Sequence, residues 1–163
     1  MTYDDRCRAP SAEVIRHGCR QAIADYGWHC VGVFADPAAA VPPYAYTVGL
    51  AAPSRPSPHP ELVVAGLSPP AGRGVLSAAV ELIRNGAKLA GGDERDGIIA
   101  RFAVRFRAID LGACALSFDV SDDYYGCGSE VPRLQLIWPD REGRFPGDPD
   151  VDPRVMRIQD IGG

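Results

Sequence analysis

Tyr44-Ala-Tyr-Thr-Val-Gly-Leu-Ala51, then Ala52-Pro-Ser-Arg-Pro-Ser-Pro-His-Pro60, then Glu61-Leu-Val-Val-Ala-Gly-Leu67 is the stretch whose reading decides the fold. Its flanks are short runs of aromatic, β-branched and aliphatic residues, and each reads as a strand. Between them, residues 53–60 hold four prolines in eight positions, which fix φ and remove N–H donors. That connection reads as a stiff, polyproline-like arm. It ends at His59-Pro60-Glu61, where a histidine and a carboxylate sit together beside rigid backbone.

Outward from this pair of strands the pattern continues in both directions. Ser11 is placed to cap a helix running to about Tyr26, with Ile15, Cys19, Ala22, Ile23 and Tyr26 at helical spacing and Gly27 as the stop. His29 to Ala35 reads as a strand closed by Asp36-Pro37, and Pro42-Pro43 holds the approach to the next strand extended. Ser68 before Pro69-Pro70 predicts a second helix, with Val75, Leu76, Ala79, Val80 and Ile83 on one face and an end near Ala90-Gly91-Gly92. From Arg101 to Asp110, Phe102, Val104, Phe106 and Ala108 alternate with Arg101, Arg105 and Arg107, the pattern of a strand with one wet, basic face. Residues 113–125 read as a short helix or loop, and Leu134 to Trp138 as a last strand. Beyond Phe145, Asp and Pro recur, which predicts an irregular tail.

This order predicts an α+β fold: a mixed, mainly antiparallel sheet of about five strands with two principal helices on one face. A chain of 163 residues predicts a single domain over 1–163, with its ordered core at about 11–146.

The composition narrows the function. The net charge of −4 gives no electrostatic case for nucleic acid. Lys88 is the only lysine among 17 basic residues. No apolar run reaches membrane-spanning length, and the first residues lack a signal-peptide pattern, so a cytoplasmic location is expected. Five scattered cysteines without a Cys-x-x-Cys pair predict reduced thiols.

Several of these segments together, Tyr26-Gly27-Trp28-His29, Tyr44 to Leu50, His59 to Val63, Leu134 to Asp140 and Gly143-Arg144-Phe145-Pro146, carry a resemblance. In this order they resemble a bacterial family known as Domain of Unknown Function 4262, over most of residues 20–146. The chain departs from it at Pro146-Gly147, where the family pattern looks like Pro-Trp. The resemblance implies a compact domain and no particular reaction.

His59 and Glu61 are the candidate catalytic residues. Histidine titrates near neutral pH, and residues two apart in an extended segment share a face, so a carboxylate could orient the imidazole. Tyr46 and Thr47 on the adjoining strand and Arg105 on the basic strand are candidate ligand-binding residues, and Gly49 would let a ligand approach the backbone. His17 and His29 lack ligand spacing, so no metal site is expected. Asp119-Val-Ser121-Asp-Asp123 with Glu130 approximates a calcium register, but Tyr124 stands where the loop must turn. Gly72-Arg73-Gly74 fails as a dinucleotide motif, since Ser77 replaces its last glycine. Cys30 is expected in the core, and Cys127, between two glycines, as the accessible thiol.

Three functions follow. The leading one is a domain that binds a small ligand or a protein, without a cofactor, in a groove framed by Tyr46, Thr47, His59 and Glu61. The second is a small cofactor-independent enzyme, with His59 as base, Glu61 orienting it, and Tyr46 or Arg105 stabilising negative charge. The third is an immunity-like protein whose arginine face docks an acidic partner.

Overall fold

The computed structural model describes residues 11–126 and 130–162. Along the chain run α1 (Ala12–Tyr26), β1 (His29–Val33), β2 (Tyr44–Val48), β3 (Glu61–Ala65), α2 (Pro69–Arg84), β4 (Glu94–Arg95), β5 (Val104–Ala108), α3 (Asp119–Tyr125), β6 (Arg133–Ile137) and α4 (Pro153–Ile158). The strands form one sheet in the order β1-β2-β3-β6-β5-β4. All neighbours are antiparallel except β3 and β6, which run parallel with Glu61 opposite Arg133. The fold is therefore α+β with a mixed, mostly antiparallel sheet. It has six strands where about five were expected, the addition being the two-residue β4.

Every residue of β2, β3 and β6 is buried because both faces of these central strands are covered. Alternation sends Ala45, Leu62 and Val64 to one face, where they join Leu76, Ala79 and Val80 of α2. Gly72 brings α2 close, since a β-carbon there would lie 3.0 Å from the Ala45 side chain. Tyr44, Tyr46, Val48, Val63 and Ala65 project to the other face, against Cys19 of α1 and Phe118 at the start of α3. The two principal helices thus lie on opposite faces, not on one. Strands buried on both sides need a cover on each, and the apolar stripe of α1 supplies part of the second.

Local chemistry sets the ends of the elements. Ser11 and Ser68 accept from Val14 and Ala71 backbone N–H groups as helix caps, and Gly27, at φ 82°, closes α1. The second helix stops at Arg84, before the predicted Ala90. Gly86 takes φ 96° and donates to the Ile83 carbonyl, while Ala87 donates to that of Leu82. The strand expected from Arg101 begins only at Val104, because Arg101 is left-handed (φ 76°), a conformation that breaks a strand. No helix among the described residues is long and apolar enough to cross a membrane.

The expected irregular tail is instead docked. The Gln159 amide acts as a detached piece of backbone beside β6. Its Oε1 accepts from Trp138 N–H at 2.9 Å and its Nε2 donates to the Trp138 carbonyl at 2.8 Å, while the Gln135 amide donates to the Gln159 carbonyl at 2.6 Å. Asp140, buried, accepts from the backbone of Glu142, Arg144 and Asp152, which ties the chain before α4 to the end of β6. Burial opposes ionisation of Asp140, but these N–H groups and Arg144 outweigh it and hold its carboxyl below the ordinary value. Ile161 then buries into the α1–α3 side core. Gln159→Ala strands buried polar groups on Trp138, so urea denaturation is expected to show a loss of about 2 kcal/mol or more.

Candidate functional site

The β2–β3 ladder ends early. Its last pair is Tyr46 with Val63, and beyond it the two strands separate. Leu62 N–H donates to Thr47 Oγ1 at 2.8 Å, and the pairing resumes only where His59 N–H reaches the Leu50 carbonyl at 2.9 Å. The Glu61 carboxylate fills the gap. Its Oε2 accepts from the Thr47 hydroxyl at 2.5 Å; its Oε1 accepts from Gly49 N–H at 2.8 Å, Ala51 N–H at 3.1 Å and the Tyr125 hydroxyl. The two carboxyl oxygens thus gather two backbone N–H groups and two hydroxyls. Glu61 is fully buried. Tyr125 also accepts from Gly49 N–H at 2.9 Å. Burial first, then the adjacent Glu61 charge, pushes its phenol far above the ordinary value.

His59 is buried too, but it has other partners. A backbone N–H can only donate, so Nε2 accepts from Leu89 N–H at 3.0 Å. Nδ1 therefore carries the proton and donates to the Pro60 carbonyl at 2.8 Å. Both ring nitrogens are occupied by backbone, and neither meets Glu61. The expected pair is thus not brought together: Glu61 closes the strand gap toward α3, and His59 pins the loop after α2 to the proline arm.

The remaining candidates fall into the core or onto paired surface. Tyr46 is buried, 6.1 Å from Tyr44 and edge-on to Phe118 at 5.1 Å between ring centres. Desolvation raises its phenol well beyond the usual range. Thr47 is buried in the Glu61 network. Gly49 (φ 109°) gives its room to α1 rather than to a ligand, since a β-carbon there would meet Gly27 O and Ile23 at 3.1 Å. Arg105 lies 2.9 Å from Glu94, 3.6 Å from Asp148 and over the Phe145 ring, and Arg107 donates to Gln135. The basic strand face is therefore partly neutralised from within the chain. Burial raises the Cys19 and Cys30 thiols to about 11, which disfavours the nucleophilic thiolate at neutral pH. Burial and then Arg73 lower His29. Cys127 lies outside the described residues. Among those residues no group of three His, Cys, Asp or Glu side chains is placed to hold a metal.

One concave surface does include a predicted residue. Between the proline arm and the end of α2 lies a groove of about 560 Å³ with His59 in its wall. Arg55, Arg84 and Lys88 line it, and no carboxylate does. The two arginines are anchored at the carboxyl end of α1: Arg55 donates to the Gly27 carbonyl and Arg84 to that of Tyr26, each at 2.6 Å. Unpaired carbonyls at a helix end favour cations. The arm opens on a turn, with Arg55 N–H on the Ala52 carbonyl, instead of running straight, and that turn delivers Arg55 to Gly27. Arg55 Nε is buried and has no partner among the described residues. Sequence reasoning missed these three cations. Arg55 was within reach, four residues before His59 in the same arm, whereas Arg84 and Lys88 come from a segment that only tertiary structure brings across.

The family model described as Domain of unknown function (DUF4262) matches residues 22–152, most of the chain, and the chain belongs to that family. No curated protein and no solved structure matches it significantly.

Thr47→Val keeps the shape but removes the hydroxyl that serves both Leu62 N–H and Glu61. Urea denaturation is expected to show a loss of about 2 kcal/mol, as for buried polar groups left unpaired; unchanged stability would contradict the network.

Proposed function

We propose that this member of the family is a binding module for a small anionic ligand, held in the groove between the proline arm and the end of α2. The observation that carries the reading is three cationic side chains and no carboxylate lining one groove, in a protein whose net charge is −4. Glu81, which pairs with Arg84 at 2.9 Å, does so from outside the lining. Arginine presents donors in a planar fork suited to phosphate or carboxylate, and Lys88 adds a point charge. Ser57 in the lining adds a hydroxyl. The fixed His59 ring serves as wall and brace in this reading, with its nitrogens already occupied.

An acid–base enzyme built on His59 and Glu61 finds no support in this arrangement, because their side chains bond to different partners. The narrower binding reading draws instead on the groove's charge and on arginines held by backbone carbonyls, which limits the side-chain entropy lost on capture.

Isothermal titration with pyrophosphate tests it. Binding is expected to weaken as salt rises, and Arg55→Gln with Lys88→Gln is expected to weaken it by about tenfold or more. Absence of binding at low salt, or an affinity indifferent to both substitutions, would contradict the proposal.

A further inference from the structure

The opposite face of the sheet carries a second cleft, of about 520 Å³, whose lining has a different character. Leu111, Leu116 and Phe118 give it apolar wall, and Asp122, Glu130 and Arg133 give it charge. Arg133 enters from the first position of β6, and its side chain is only 2% exposed. Its guanidinium lies 4.3 Å over the Phe118 ring. One terminal nitrogen donates to the Val131 carbonyl at 3.1 Å and the other to Ser121 Oγ at 2.8 Å, with Asp122 3.9 Å away. Its Nε is buried and has no partner among the described residues.

A buried guanidinium is costly unless its donors are met. Glu61 faces Arg133 in strand register and supplies opposite charge, but its oxygens are taken by Thr47, Gly49, Ala51 and Tyr125. Among the described residues the buried Nε–H therefore has no acceptor oxygen. Asp122, 46% exposed, and the exposed Glu130 place two carboxylates in the same lining. Those carboxylates repel a simple anion, and Arg133 repels a simple amine. A ligand with both charges, an acceptor oxygen for Arg133 and an ammonium for Asp122 or Glu130, satisfies the lining, and an apolar group between them meets the leucines and Phe118.

We propose that this cleft is a binding site for a free amino acid with an apolar side chain. The carboxylate meets Arg133, the ammonium meets Asp122 and Glu130, and the side chain lies against Leu111, Leu116 and Phe118. The site is separate from the cationic groove and does not depend on that reading.

Titration calorimetry with L-leucine, isoamylamine and 4-methylpentanoate tests the assignment on the intact chain, since the latter two each lack one charge. L-leucine is expected to bind at least about tenfold more tightly than either. Glu130→Gln together with Asp122→Asn is expected to remove that advantage over 4-methylpentanoate while near-UV circular dichroism stays unchanged. Should the double variant lose its fold, Glu130→Gln alone, on an exposed residue, is expected to weaken leucine severalfold. No binding of L-leucine at millimolar concentration, equal binding of the three compounds, or an affinity insensitive to Glu130 overturns the proposal.

Discussion

A buried carboxylate bridges the split between β2 and β3, and much of the surrounding structure depends on it. Where β2 and β3 part, the backbone N–H groups of Gly49 and Ala51 turn inward and meet no carbonyl. Buried N–H groups must be paired. Glu61 supplies one oxygen to both and the other to Thr47, whose own oxygen takes Leu62 N–H. The carboxylate thus replaces a missing rung of the sheet. The same oxygen receives Tyr125, which ties α3 to the sheet.

This arrangement separates rigidity from recognition. The turn after Gly49 starts the proline arm from a fixed point, so Arg55 arrives at the carboxyl end of α1. His59, pinned by the Pro60 carbonyl and Leu89 N–H, closes the arm and fixes the segment after α2 that carries Lys88. The groove is lined by three cations, two of which are held by carbonyls at the end of α1. On the other face, Arg133 sits opposite Glu61, so two buried charges of opposite sign balance across neighbouring strands without touching. A buried guanidinium with one donor unmatched among the described residues is suited to a further partner.

Much of the fold was legible in the sequence. Short runs of aromatic, β-branched and aliphatic residues located β1, β2, β3 and β6, and Ser11, Gly27 and Ser68-Pro69 marked helix ends through local hydrogen bonds that need no tertiary knowledge. The errors have tertiary causes. The placement of α1 and α2 on opposite faces depends on strand order, which periodicity does not encode. Gln159 looked like ordinary tail polarity, yet it pairs with the Trp138 backbone. The candidate site was half legible: His59 and Glu61 both bond to local backbone, and reading them as partners assumed that two residues on one strand face can converge. The sheet ends there, the strands splay, and each side chain follows the nearest unpaired backbone group instead. The cations of the groove were hidden because Arg84 and Lys88 join Arg55 only through the packing of α2 on the sheet.

The Glu61 carboxylate and the Tyr125 hydroxyl form one hydrogen-bonded unit that closes the strand gap. A double-mutant cycle in urea, with Glu61→Gln, Tyr125→Phe and both together, measures it most directly. A coupling energy above about 1 kcal/mol is expected, as for residues within one buried network. Additivity within about 0.5 kcal/mol, as for independent sites, would contradict it.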